Sequence, residues 1–198
     1  MTTKEFTVNW HHRPDIWLEQ LRGFAGHPIS VLEIGSLEGR SACWMMDNIA
    51  THCDSTLTSV DPYRYESIDG ESKKESEKYN RDLDLVAAKQ MFARNTQEYG
   101  ARIVQHVMTS DCYFRSVHGD QRHDIVVVDG GHSALIALSD MINGYKALNV
   151  GGKMVVDDVE WKWGDGVKRA LAAFLSCTPS MDVTHKGYVW FLRKTHDT

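Results

Sequence analysis

Short apolar runs rich in β-branched residues alternate along this chain with segments of helical spacing. The runs predict five buried strands, at SVLEIG (30–35), TLTSVD (56–61), RIVQHVM (102–108), DIVVVD (124–129) and KMVVDD (153–158). Between them, apolar residues recur three and four positions apart, as on one face of a helix. Strands that alternate with helices form right-handed crossovers and a parallel sheet with both faces covered. The tail, residues 181–194, indicates two further extended pieces that pair antiparallel about Gly187.

These elements predict an α/β fold, a Rossmann-like doubly wound sheet of about seven strands. Most strands are expected to be parallel, the C-terminal strand antiparallel, and helices to cover both faces. A length of 198 residues is typical of one domain, spanning 1–198. Within it, 1–28 forms an N-terminal arm and helix. Residues 62–80 carry both signs of charge and almost no apolar side chains, which predicts an exposed charged loop or lid.

Two element boundaries are predicted from local signals. The apolar spacing from Leu135 to Leu148 predicts an amphipathic helix that Gly151 and Gly152 end. Ser110 is expected to cap the short helix that follows the third strand.

Composition narrows the classes of partner. Apolar residues make up 42% of the chain and charged residues 25%, as in globular proteins. A net charge of −5 argues against nucleic acid or an anionic membrane as the main partner. No apolar run is long enough for a membrane span, the N-terminus lacks a signal-peptide core, and the four scattered cysteines fit reduced thiols in a cytoplasmic protein. Whether copies associate into a homo-oligomer stays open.

Ligands of such sheets bind beyond the carboxyl ends of the strands. The first strand is followed by a loop in which Gly35 and Gly39 allow a tight turn and the close approach of a ligand. Because position 37 is leucine, the dinucleotide fingerprint GxGxxG is absent. Glu33 and Glu38 would repel a pyrophosphate but suit an ammonium or sulfonium ligand. A simple strand–helix turn is the alternative interpretation.

Acidic residues also follow the other strands. Asp61 is placed to accept hydrogen bonds from ribose hydroxyls, or else to form an Asp-Pro turn. Asp129, Asp157 and Asp158 end two strands that are expected to be neighbours, roughly 4.8 Å apart. Three close carboxylates raise one another's pKa unless a cation neutralises them, and an all-oxygen set suits Mg²⁺. The alternative is that these acids cap helices or pair with nearby lysine or arginine.

One histidine is placed to act as a base. His132 follows Asp129 and two glycines, and a turn there can bring its imidazole over the acidic residues. Most other histidines, His11 and His12 among them, are assigned to the surface.

Together these motifs resemble the class I S-adenosylmethionine-dependent methyltransferases. They are most similar to the small metal-dependent O-methyltransferases of the catechol and macrolide-sugar types. The resemblance covers most of residues 30–194 and is carried by VLEIGSLEGRS, SVDPY, the TSD turn, DIVVVDGGHS and GGKMVVDDVEW.

The resemblance implies S-adenosylmethionine and Mg²⁺ (or another divalent cation) as cofactors and a small-molecule acceptor. It implies methyl transfer to a hydroxyl, with a vicinal diol of a sugar or phenol as the expected acceptor. The implied cofactor-binding residues are Glu33, Gly35, Ser36, Gly39, Ser41, Asp61, Ser110 and Asp129. Within that set Ser41 would hold the cofactor carboxylate and Ser110 its adenine edge. The implied metal ligands are Asp129, Asp157 and Asp158, and His132 is the implied catalytic base.

The chain departs from this pattern in places. Gly130 and Gly131 cannot pack on adenine, and Asp158 stands where the catechol type has asparagine. Trp161, Trp163 and the 62–80 segment are candidates for the acceptor pocket. Two alternatives stay open: a metal-independent methyltransferase that acts on nitrogen or carbon, and a non-catalytic cofactor-binding module.

Overall fold

A computed structural model of the chain describes residues 3–64, 83–117, 121–178 and 180–197. The charged segment predicted at 62–80 lies outside these ranges apart from its first three residues. Seven strands form one sheet. They are β1 Ser30–Ile34, β2 Thr56–Val60, β3 Ile103–His106, β4 His123–Val128, β5 Leu148–Val156, β6 Met181–Lys186 and β7 Val189–Lys194.

The strand order confirms the predicted sheet. It is β3-β2-β1-β4-β5-β7-β6, in which β1 to β5 pair parallel. Strand β7 is antiparallel to both β5 and β6. Since the chain moves outward from β1 in one direction and then returns to β4 on the other side, the carboxyl ends of β1 and β4 flank the crevice where such folds bind ligands.

Helices cover both faces of the sheet. They are α1 Pro14–Leu21, α2 Arg40–Asn48, α3 Leu85–Thr96, α4 Ser110–Ser116, α5 Ala134–Ala147 and α6 Gly166–Cys177. Alternate strand residues enter two separate cores, as the neighbours Val126 and Val127 do. One core packs α5 and α6 against the sheet, and the other packs α1, α2 and α3. Both faces are therefore buried, which is why the strands read as continuous apolar runs. Within the described ranges, no helix is long and apolar enough to cross a membrane.

Two predicted boundaries are wrong. Helix α5 ends at Ala147, and Gly151 and Gly152 lie within β5. A Cβ at Gly152 would lie 2.8 Å from the carbonyl oxygen of Asp124, so the glycine serves close strand contact and not helix termination. The side chain of Thr109, and not that of Ser110, caps α4 by accepting a hydrogen bond from the amide of Cys112.

Candidate active site

A cleft of about 1000 Å³ opens at the carboxyl ends of the parallel strands. Most of the predicted site residues line it, from four strand ends and the start of two helices. They are Gly35, Ser36, Ser41, Asp61, Ser110, Asp129, His132, Asp157 and Asp158. Glu33 and Gly39 do not line the cleft. The roles assigned to all these residues remain predictions.

The loop after β1 lies directly against the end of β4. The amide of Gly35 donates to the carbonyl of Val60 at 2.9 Å, and the amide of Asp129 donates to the carbonyl of Ile34 at 2.9 Å. Gly35 has φ +84°, and a Cβ there would lie 2.0 Å from the carbonyl oxygen of Asp129. Only glycine fits this position, since any side chain would push the two strand ends apart.

Asp61 holds the same loop in shape. One oxygen of its carboxylate accepts hydrogen bonds from the amides of Ser36 and Leu37, at 2.9 and 3.0 Å. The other accepts from the amide of Tyr63 at 2.7 Å. Leu37 has φ +44°, a left-handed conformation that costs a leucine about 1–2 kcal/mol. Its carbonyl accepts from the Tyr63 hydroxyl at 2.9 Å, so the strained residue is held at both its amide and its carbonyl.

Glu33 lies beneath the loop and is only 2% exposed. Burial raises the pKa of its carboxyl group to about 7, although hydrogen bonds with Ser41 and Ser36 act in the opposite direction. The Oε2 atom has no hydrogen-bond partner among the described residues. A buried acceptor without a partner is costly in a folded protein, which makes this atom a candidate for contact with a bound cation or ammonium group.

Glu38 serves the fold in a way that was not predicted. Its carboxylate accepts hydrogen bonds from the amide of Thr7, at 2.7 Å, and from the Thr7 hydroxyl. The backbone carbonyl of Glu38 accepts a hydrogen bond from the side-chain amide of Asn95. The same amide group donates to the carbonyl of Glu5 and accepts from its backbone N–H. The side chain expected to suit a cationic ligand therefore fastens the N-terminal arm to the loop after β1.

The carboxyl ends of β4 and β5 form an acidic cluster, defined here as Asp129, Asp157 and Asp158. Burial, with the charges of Asp157 and Asp158, raises the pKa of Asp129 well above its usual range. Burial and the Asp158 charge raise the pKa of Asp157 to about 7. In the part of the chain that the structure describes, no lysine or arginine forms an ion pair with Asp129 or Asp157.

The acidic cluster is loosely arranged. Among the described residues, the carboxylate oxygens of its three members do not all lie within 4.8 Å of one another. Asp157 accepts a hydrogen bond from the amide of Asp158 at 2.8 Å, and Asp158 has a left-handed backbone with φ 57°. One carboxylate is thus used partly to shape the turn that presents the other.

His132 lies beside the acidic cluster. Its Nε2 atom is 2.9 Å from Oδ2 of Asp158, and its ring stacks on Trp161 with 4.3 Å between centroids and 24° between planes. The backbone of His132 passes so close to Gly166 that a Cβ there would lie 2.0 Å from the His132 carbonyl oxygen. The imidazole is therefore fixed by a hydrogen bond, a ring stack and a tight backbone contact.

The N-terminal arm supplies cleft residues that the sequence analysis did not identify. Residues 8–13 line the cleft, and His11 is partly buried between Trp17 and Trp44, with ring centroids 4.7 and 5.0 Å away. Burial, together with the Arg40 charge, lowers the pKa of His11 to about 4. The expectation that His11 is a surface residue is wrong, because Trp17 of α1 and Trp44 of the sequence-distant α2 enclose its ring.

Comparison with known proteins identifies the family. The family model described as a methyltransferase domain matches residues 32–159. No curated protein matches the chain.

Several solved structures share the fold. The O-methyltransferase NovP is 17% identical over 91% of this chain and 80% of its own, with a TM-score of 0.68. The O-methyltransferase TomG from Streptomyces achromogenes, involved in tomaymycin synthesis and solved in complex with SAM, is 15% identical over 92% and 79%, with a TM-score of 0.63. An rRNA methylase from Streptococcus thermophilus is 9% identical over 95% and 100%, with a TM-score of 0.61. The family match and the strand order together show that the chain belongs to the methyltransferase domain family and is a class I S-adenosylmethionine-dependent methyltransferase.

Proposed function

We propose that this methyltransferase transfers the methyl group to a hydroxyl oxygen of a small molecule that carries a vicinal diol, such as a sugar or a phenolic compound. We further propose that the acidic cluster holds a divalent cation, Mg²⁺ by preference. The observation that supports this most strongly is the cluster itself, because its carboxylates face a cleft and two of them lack a cationic partner among the described residues.

The donor set fits such a cation. Asp129, Asp157 and Asp158 offer only oxygen atoms, which hard divalent cations prefer. Burial, and after it the charge of the neighbouring carboxylates, raises the pKa values of Asp129 and Asp157, and a bound cation would offset both causes. When bound, a divalent cation lowers the pKa of hydroxyl groups in its coordination shell and fixes their orientation.

His132 is the proposed base. A carboxylate only accepts hydrogen bonds, so the contact with Asp158 places the ring hydrogen on Nε2 and leaves Nδ1 free to take a proton. The stack on Trp161 limits rotation of the ring. Asp158 and Trp161 would thus fix both the tautomer and the plane of the imidazole, and His132 would remove the hydroxyl proton as the oxygen attacks the methyl group.

The size and charge of the cleft favour a small acceptor. A volume of about 1000 Å³ is at the upper end of the range for ligand pockets, enough for the cofactor together with a compact acceptor. The net charge of −5 disfavours RNA as the acceptor, although one protein of the same fold is an rRNA methylase.

A metal-independent methyltransferase is the second candidate. Two observations favour it: Asp158 already has His132 as a partner, and the carboxylate oxygens of the acidic cluster are not gathered within 4.8 Å. In that case His132 and Asp158 would act as a base and its orienting acid without a cation.

Turnover assays on chelated protein separate the two candidates. Formation of S-adenosylhomocysteine is measured with catechol and with a vicinal-diol sugar, in the presence of EDTA and after addition of Mg²⁺. Our proposal predicts turnover that requires Mg²⁺ and is lost in Asp157→Asn, while that variant still binds S-adenosylhomocysteine. Turnover that resists EDTA would establish the metal-independent candidate.

A further inference from the structure

Charge is distributed unevenly along the cleft. The acidic cluster lies at the ends of β4 and β5, whereas the cationic Arg40 lines the cleft at the start of α2, together with the neutral imidazole of His11. S-adenosylmethionine carries a carboxylate and an ammonium group at its amino-acid end. A carboxylate is repelled by the acidic cluster and attracted to the cationic side, so the cleft itself favours one orientation of the amino-acid end.

Arg40 is fixed in place by the N-terminal arm. It is the first residue of α2, and its Nε donates to the carbonyl oxygen of Val8 at 3.0 Å. Its guanidinium carbon lies 4.4 Å from the centroid of the Phe6 ring. Among the described residues, no acidic side chain forms an ion pair with Arg40. The guanidinium group is therefore oriented but not neutralised.

His11 presents an unused polar atom on the same side. Its Nε2 is buried and has no hydrogen-bond partner among the described residues. The rings of Trp17 and Trp44 hold the imidazole from two directions. Burial keeps the imidazole neutral at physiological pH, so His11 has one N–H to donate.

Glu33, below the same part of the cleft, is a second buried polar group with an unused atom. It is almost fully buried, and one of its carboxylate oxygens has no partner among the described residues. Its hydrogen bond with Ser41 places it beneath the first turn of α2. Glu33 does not itself line the cleft, so the charge that a ligand carboxylate meets at the start of α2 is that of Arg40.

We propose that Arg40 and His11 bind the carboxylate of the cofactor's amino-acid end, with the N-terminal arm as a built wall of the cofactor site. His11 lies outside residues 32–159, the part that matches the family model, so this contact is supplied by the chain's own N-terminal segment. Glu38 and Arg40 hold the arm in the position that the contact needs.

Titration calorimetry with two ligands tests the assignment. S-adenosylhomocysteine has the amino-acid end, and 5′-methylthioadenosine lacks it but keeps the adenosine and the sulfur. We expect Arg40→Met to weaken the binding of S-adenosylhomocysteine by roughly 10- to 100-fold and His11→Phe to weaken it by about tenfold. Each variant loses a hydrogen bond to a charged group. The affinity for 5′-methylthioadenosine should stay within about twofold, because that ligand never makes the contact.

Further variants separate recognition from folding. Arg40→Lys keeps the charge and should retain more of the S-adenosylhomocysteine affinity than Arg40→Met. His27→Phe, an exposed histidine outside the cleft, should leave both affinities unchanged. If both ligands weaken by the same factor, the arm has only a structural role, and the proposal is wrong. Unchanged S-adenosylhomocysteine affinity in both Arg40→Met and His11→Phe would also overturn it.

Discussion

The two halves of the cleft treat their carboxylates differently. At the ends of β1 and β2, the Asp61 carboxylate accepts hydrogen bonds from three backbone amides, and the Glu38 carboxylate accepts one from the amide of Thr7. At the ends of β4 and β5, Asp129 and Asp157 are crowded by like charge, and burial raises the pKa of both. Asp61 and Glu38 in the first half therefore stabilise the fold, whereas Asp129 and Asp157 in the second half lower its stability. Glu33 is the exception in the first half, since burial raises its pKa to about 7.

The difference indicates which half depends on an added partner. A carboxylate whose oxygens accept hydrogen bonds from backbone amides stabilises the folded chain without a bound ligand. A buried group of like charges lowers stability unless something neutralises it. Sequence position does not distinguish Asp61 from Asp129 and Asp157, because each of the three directly follows a strand.

The largest expected effect is on catalysis in the second half. Asp157→Asn should lower turnover by about a thousandfold, since a lost cation removes several kcal/mol of transition-state stabilisation. Turnover is measured as S-adenosylhomocysteine formation at saturating cofactor. Binding of S-adenosylhomocysteine should be unchanged, which separates this result from misfolding, and near-normal turnover would remove the acidic cluster from the mechanism.

Loss of the base should be the next largest effect. His132→Gln should lower kcat by roughly 100- to 10,000-fold, the range found for general bases. Single-turnover kinetics check the assignment. An acceptor with a more acidic hydroxyl needs the base less, so the variant should recover part of the lost rate with such an acceptor or at high pH. If the variant shows the same kcat as the native protein with every acceptor, His132 is not the base.

Asp61 should matter for stability more than the acids of the second half. Asp61→Ala leaves three amides without their acceptor and should lower the free energy of unfolding by roughly 2 kcal/mol. Urea unfolding of the metal-free protein measures the change. Asp129→Asn is the matched control, which we expect to be neutral or stabilising. Equal losses in both variants would abolish the contrast between the two halves.

The smallest expected effect is a pH dependence of stability. Asp157 has a pKa of about 7 in the folded protein and about 3.9 in an unfolded chain. The Asp157 carboxyl group therefore binds its proton more tightly in the folded state than in the unfolded state. The stability that this proton binding contributes is fully present below the unfolded pKa and is lost as pH rises to about 7.

Unfolding of Asp157→Asn and the native protein near pH 5 and near pH 8 measures this effect. The variant should gain on the order of 1 kcal/mol over the native protein at the higher pH, after allowance for solvent screening. The two proteins must be compared with each other because His11 and His123 also make stability depend on pH. Burial lowers the pKa of both to about 4, so the stability that they contribute is lost as pH falls. A gain that is independent of pH would contradict the account.

The sequence predicts the sheet well because its signals are local. Each parallel strand is an apolar run that ends at a glycine or a polar residue, and the fold rules place those ends along one edge. That is how Asp61, Asp129 and Asp157 were found as lining residues. The boundary at Gly151 and Gly152 was mistaken because glycines that allow close strand contact look the same in sequence as glycines that end a helix.

Contacts between distant segments escaped prediction. Nothing in the polar arm indicates that Thr7 bonds Glu38, or that His11 enters a cage formed by Trp17 and Trp44. The hydrogen bond between His132 and Asp158 depends on the left-handed backbone of Asp158, which the residue type does not predict. These features arise from tertiary packing, and a single sequence carries no pattern for them.

Calorimetric titration of Mn²⁺ or Mg²⁺ into the chelated protein, saturated with S-adenosylhomocysteine, tests the central claim most directly. The account predicts one saturable site per chain in the native protein and loss of that site in Asp157→Asn. Absence of saturable binding to the native protein, or binding that Asp157→Asn leaves unaltered, would contradict it.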